Sequence, residues 1–145
     1  YARSVGASVI AVTCCPGSAI DRAADIGIAP EPGPEVIAGS TRMKSGTAQK
    51  MVLNMLSTGT MIKLGKVYGN LMVDVKPSNE KLIRRCITIV CEATGESEAQ
   101  AAAALDKCGY SCKQAIVMLL RGTGVDEAAR LLEKAGGRVA QAIAG

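Results

Sequence analysis

The chain has 145 residues, of which 48% are hydrophobic, 21% are charged and only 2% are aromatic, and it contains no His, Trp or Phe. This length and apolar content suffice for one compact domain or two very small ones. The absence of His excludes His-dependent catalytic triads and mixed Cys/His zinc sites, and so few aromatic rings exclude proteins that stack nucleic-acid bases.

The six cysteines indicate a reduced, cytoplasmic protein. None of them is spaced as C-x-x-C, so we expect core residues and no metal site; they are Cys14, Cys15, Cys86, Cys91, Cys108 and Cys112. Charged residues interrupt each apolar run before the roughly 18 residues of a membrane span, so no membrane partner is expected.

The first forty residues read as a βαβ unit. Residues 1–7 resemble the tail of a helix that ends at Gly6, so we expect the chain to begin inside a domain. Residues 8–14 and 26–30 are apolar and β-branched, which predicts two neighbouring parallel strands. Ser18 is placed to cap a short helix between them. The fold class predicted from this order is α/β.

From Thr41 onward the pattern predicts helices joined only by short turns. The first helix spans 41–66 and carries apolar residues over so much of its surface that we expect it to pack on more than one side. A second helix restarts at 78–80 and runs to Ala93, ending at Gly95. We expect no strand in 78–145.

The last fifty residues contain an internal repeat. Residues 105–116 and 132–143 align at an offset of 27, with six of twelve positions identical. Each copy reads as helix, glycine turn, helix, so we expect a compact Ala-rich helical module.

The densest polar cluster is residues 33–50. A loop that carries a carboxylate leads through Gly39, Ser40 and Thr41 into a helix, and we expect Ser40 or Thr41 to cap it. Unpaired backbone N–H groups, hydroxyls and cations at a helix start suit a phosphorylated ligand.

Positive charge is concentrated in the middle of the chain. Residues 42–85 include nine basic and two acidic residues, so this segment has a net charge of +7, whereas the whole chain has a net charge of +4. No Arg-rich run or aromatic interleaving accompanies this charge, so nucleic acid is not expected.

The segment GPEVIAGSTRMKSGTAQKMVLNMLSTGTMIKLGKVYGNLMVDVKPSNEKL (33–82), with CCPGSAI before it and EATG after it, resembles the N-acetylmuramic acid 6-phosphate etherase family in its C-terminal half. More loosely it resembles the sugar isomerase (SIS) family of phosphosugar-binding domains. That resemblance implies three parts. Residues 1–68 are the C-terminal part of a SIS-type parallel-sheet domain, and residues 69–95 are a connecting loop and helix. Residues 96–145 are an all-helical tail that looks like ubiquitin-associated (UBA) modules. The resemblance assigns substrate binding to Glu35, Ser40, Thr41, Arg42 and Lys44.

The resemblance implies cleavage of the D-lactyl ether of N-acetylmuramic acid 6-phosphate in cell-wall recycling, without metal or organic cofactor, by a cytoplasmic homodimer. It places the catalytic glutamates upstream, so the chain alone is expected to be inactive. The alternative is a non-catalytic phosphosugar sensor resembling glucokinase regulatory protein. Residues 70–75 favour the etherase family over that sensor, and a third option makes the tail a partner-binding module.

Overall fold

The computed structural model describes residues 1–145, which divide into two compact units, Tyr1–Gly59 and Thr60–Gly145. The first unit begins with a short 3₁₀ turn, Arg3–Val5, closed by Gly6. It continues through β1 (Ile10–Val12), α1 (Ala19–Ala23) and β2 (Ile26–Ile28). A long loop then leads to α2 (Lys44–Lys63), whose last residues belong to the second unit.

The predicted βαβ unit is confirmed, with shorter strands than expected. Strands β1 and β2 pair in parallel, with Ile10 opposite Ile26 and Val12 opposite Ile28. The hydroxyl of Ser18 accepts the N–H of Asp21 and caps α1, as predicted. Both strands therefore point their carboxyl ends toward the same edge, where the loop before α2 begins.

The second unit begins with a hairpin that the sequence patterns above do not predict. Strands β3 (Val67–Tyr68) and β4 (Leu71–Met72) pair antiparallel. The prediction that everything after Thr41 is helical apart from short turns is therefore wrong at this point. The β-prone pair Val67-Tyr68 and the apolar pair Leu71-Met72 flank Gly69-Asn70 and form a two-residue hairpin, whereas the helical pattern indicates only a break there.

Five helices follow, and no strand occurs in 78–145, as predicted. They are α3 (Glu80–Thr94), α4 (Glu98–Lys107), α5 (Cys112–Arg121), α6 (Val125–Lys134) and α7 (Val139–Ala144). Helix α3 starts at Asn79, whose side chain accepts the N–H of Leu82, and ends at Gly95. Both bounds were predicted, because caps are local features of sequence. None of the helices in the chain is both long and apolar enough to cross a membrane.

The internal repeat is also a repeat of structure. In the first copy the N–H of Tyr110 donates to the carbonyl of Leu105 at 2.8 Å, and in the second the N–H of Gly137 donates to the carbonyl of Leu132 at 2.8 Å. Two consecutive residues with positive φ make each turn, and in the second copy both are glycine. Tyr110 has a φ of 62°, a conformation that glycine adopts without strain.

The core of the second unit lies among α3 to α7. Small residues let the helices pack closely, and large side chains fill the remaining space. The completely buried residues include Leu105, Ile116, Val90, Val117, Val139, Cys86, Ala101, Ala115 and Ala128. The predicted domain boundaries, after residue 68 and after residue 95, remain a prediction.

Candidate functional site

The candidate site is the loop between β2 and α2, together with the first turn of α2. It begins just beyond the carboxyl ends of two parallel strands, the edge where open α/β sheets bind ligands. The thiol of Cys14 donates to the carbonyl of Ser45 at 3.7 Å. This contact holds the chain just after β1 against the beginning of α2 and brings the loop to the edge of the sheet.

Glu35 occupies the N-terminal end of α2. Its Oε2 accepts the backbone N–H of Lys44 and its Oε1 accepts that of Ser45, both at 3.1 Å. These two hydrogen bonds, with the positive charge of Lys44 as a further cause, lower the pKa of the Glu35 carboxyl. Glu35 is therefore ionised at neutral pH, and its charge stabilises the positive end of the helix.

The next two amides of α2 are satisfied within the same segment. The N–H of Gly46 donates to the carbonyl of Thr41 at 3.1 Å, and that of Thr47 donates to the carbonyl of Met43 at 2.9 Å. Each of the first four helical N–H groups therefore has an acceptor in this chain. The expectations of unpaired N–H groups, and of a cap by Ser40 or Thr41, are wrong because Glu35 fills that position.

The remaining predicted residues surround this helix end. Ser40 is half-buried, and its N–H donates to the carbonyl of Ile37 at 3.1 Å. Thr41, Arg42 and Lys44 are exposed. The segment thus presents hydroxyl groups and two cationic side chains to solvent, beside a carboxylate whose two oxygens hold the helix. Such a surface can bind an anionic, hydroxylated ligand through side chains.

A second group of charged residues, in the other unit, was not singled out from the sequence. The ammonium of Lys66 pairs with the carboxylate of Asp74. That hydrogen bond is the main reason why the pKa of Asp74 is lowered, and the charges of Lys113 and Lys76 add to the effect. Part of the positive charge in 42–85 therefore stabilises the fold around the hairpin. The structure shows no group of three or more Cys, Asp or Glu side chains that could hold a metal ion.

Comparison with known proteins gives matches along nearly the whole chain. It is 56% identical over 143 residues to N-acetylmuramic acid 6-phosphate etherase 1 of Vibrio cholerae, covering 99% of this chain and 48% of that protein. It is 55% identical to an N-acetylmuramic acid 6-phosphate etherase of Clostridium beijerinckii, and the match covers 99% of this chain and 47% of that protein. It is 53% identical to an N-acetylmuramic acid 6-phosphate etherase of Escherichia coli O1:K1, and the match covers 99% of this chain and 48% of that protein. The chain spans about half the length of the curated relatives it matches.

A family model of the C-terminal lid domain of glucokinase regulatory protein matches residues 69–115. This range includes 70–75, the block expected to favour the etherase family over that regulator. Identity of 52–56% across 99% of the chain is the stronger finding. The chain therefore corresponds to the C-terminal half of N-acetylmuramic acid 6-phosphate etherases, and the resemblance predicted from its motifs is confirmed.

Proposed function

We propose that this chain forms part of a carbon–oxygen lyase that acts on N-acetylmuramic acid 6-phosphate, yielding N-acetylglucosamine 6-phosphate and D-lactate. The observation that supports this proposal is the identity of 52–56% to etherases across 99% of the chain. Cell-wall recycling in the cytoplasm belongs to the same proposal. So do the assignment of 1–68 to a SIS-type domain and the UBA-like character of the tail.

The proposed reaction proceeds by elimination and then addition of water. A carboxylate removes the C2 proton, the bond between C3 and the ether oxygen breaks, and an acid protonates the departing lactyl oxygen. Water then returns a hydroxyl to C3 and a proton to C2. This chemistry needs two acids with separated pKa values. Glu35 is the only acid in 33–50, so this segment offers no such pair. Following the family resemblance, the proposal places the reacting glutamates upstream of this chain.

Within this proposal Glu35, Ser40, Thr41, Arg42 and Lys44 form one wall of the sugar-phosphate pocket. The exposed cations Arg42 and Lys44 suit the phosphate, and the hydroxyls of Ser40 and Thr41 suit the sugar or phosphate oxygens. Since α2 has acceptors for its first four N–H groups, the phosphate would be bound by these side chains.

A chimeric enzyme tests the function. The segment of the Vibrio cholerae etherase that matches this chain is replaced by the 145 residues, and D-lactate release from N-acetylmuramic acid 6-phosphate is measured. We expect activity from the chimera and none from the 145 residues alone. Lys44→Ala should raise KM by about tenfold, because one charged contact to phosphate is lost. Lys50→Ala, which removes another exposed cation further along α2, should leave KM within about twofold.

An inactive but folded chimera would contradict the proposed function. Equal effects of Lys44→Ala and Lys50→Ala would contradict the pocket assignment alone.

We further propose that the chain self-associates through α2, as the homodimer expectation requires. Only Ser45 is buried along this 20-residue helix, whereas Met51, Leu53 and Met55 are more than half exposed. Apolar surface of this extent is typical of an interface. We expect sedimentation velocity at micromolar concentration to show a dimer, Met55→Lys to shift it toward monomer, and Ala103→Lys, at an exposed position of α4, to leave it unchanged. A folded wild-type monomer would refute this proposal.

A further inference from the structure

The loop before α2 has little regular structure, yet it carries the residues proposed to bind the substrate. Between Glu35 and Lys44 the backbone makes no helix or strand, and Val36 and Ile37 are 77% and 70% exposed. Few packed side chains therefore hold the loop. Its conformation depends on the turn bond from Ser40 to Ile37 and on the hydrogen bonds that join its two ends.

The Glu35 carboxylate supplies two of these bonds across nine and ten residues of chain. Both of its oxygens accept N–H groups of the same helical turn, so the start of the loop is fixed to the start of α2 at two points. A bidentate contact restrains orientation as well as distance. Ser40, Thr41 and Arg42 lie inside the segment that these bonds close.

We infer that Glu35 is a positioning residue, an internal anion that closes the 35–45 loop onto α2 and so presents Ser40, Thr41 and Arg42 to the phosphosugar. This role deepens the proposed function and rests on it for the identity of the ligand. It follows that the substrate phosphate does not bind the N-terminal amides of α2, because the carboxylate occupies them.

Amide hydrogen exchange on the 145-residue chain tests the loop closure without any activity. The amides at the start of a helix exchange fast unless an acceptor protects them. In Glu35→Ala we expect exchange at Lys44 and Ser45 to be about tenfold faster or more, with the amides of α3 unchanged. Glu31→Ala removes an exposed acid from the same loop and should have no effect at either amide. Exchange at Lys44 and Ser45 within about twofold of wild type would overturn the inference.

Inorganic phosphate provides a second test with the wild-type chain. We expect hydrogen exchange at the backbone amides of Lys44 and Ser45 to be unchanged when phosphate is added, because Glu35 already accepts both N–H groups. Slower exchange at these two amides in phosphate would show that an anion from solvent becomes their acceptor, which contradicts occupation by Glu35.

The chimeric enzyme then separates positioning from chemistry. Because Glu35 acts through the binding loop, Glu35→Ala should raise KM about tenfold while kcat changes less than about threefold. Glu35→Gln keeps one acceptor oxygen and should give an intermediate KM. A loss of kcat at unchanged KM would overturn the inference. If the unsubstituted chimera is inactive, the proposed function fails, whereas the exchange result still decides whether Glu35 closes the loop.

Discussion

Replacement of Leu105 by Ala is expected to cost about 2–5 kcal/mol of unfolding free energy, since it removes three carbons from a site with no exposed surface. Leu105 begins the first copy of the internal repeat and belongs to the core of the second unit. The helices around it are anchored by many other contacts and can collapse only partly into the cavity. Urea denaturation should show a lower midpoint with an unchanged slope.

Two leucines of the same module provide controls for this prediction. Leu132, at the equivalent position of the second copy, is 8% exposed, so Leu132→Ala should have a cost of similar size. Leu120 is 39% exposed, and Leu120→Ala should stay within about 0.5 kcal/mol. Equal effects at Leu105 and Leu120 would contradict the placement of the core.

Replacement of Gly65 by Ala should destabilise the chain by about 2–5 kcal/mol, for two reasons that can be separated. Gly65 has a φ of 69°, which costs other residues about 1–2 kcal/mol. A Cβ at this position would also lie 2.7 Å from Cγ of Arg138 and 3.3 Å from the carbonyl oxygen of Gly137. Relief of such overpacking costs about 1–3 kcal/mol more.

Gly69→Ala is the matched control, because Gly69 has a φ of 58° but no heavy atom within 4 Å of the point that a Cβ would occupy. It should show the conformational cost alone. Thermal or urea unfolding of both variants measures the difference. If Gly65→Ala is no worse than Gly69→Ala, the close approach of Arg138 is refuted.

A double-mutant cycle isolates the contact between Gly65 and Arg138. Arg138 donates from Nη2 to the carbonyl of Lys63 at 2.9 Å, at the negative end of α2, so Arg138→Ala alone should be destabilising. The double variant lacks the Cγ that obstructs Ala at 65. We therefore expect it to be at least about 0.5 kcal/mol more stable than the sum of the single effects predicts. Strict additivity would indicate that the two positions do not interact.

Sequence alone determined the features that depend on neighbouring residues. Ser18 and Asn79 cap helices because their side chains reach an N–H three residues ahead, and this needs no tertiary contact. Gly95 ends α3 for an equally local reason. The change from apolar, β-branched runs to a helical period distinguished β1 and β2 from the helices, although it missed the short hairpin of β3 and β4. The long motif over 33–82 identified the related family because its match extends along many positions.

Only the tertiary structure decided which distant groups meet. Nothing in the spacing between Glu35 and Lys44 shows that a loop without periodicity returns the carboxylate to the helix end. The pairing of Lys66 with Asp74 likewise depends on the small hairpin between them, and the packing of Gly65 against Arg138 joins residues 73 positions apart. Such contacts follow from the path of the whole chain, because loop closure and core packing fix them together. Local propensity carries no information about either.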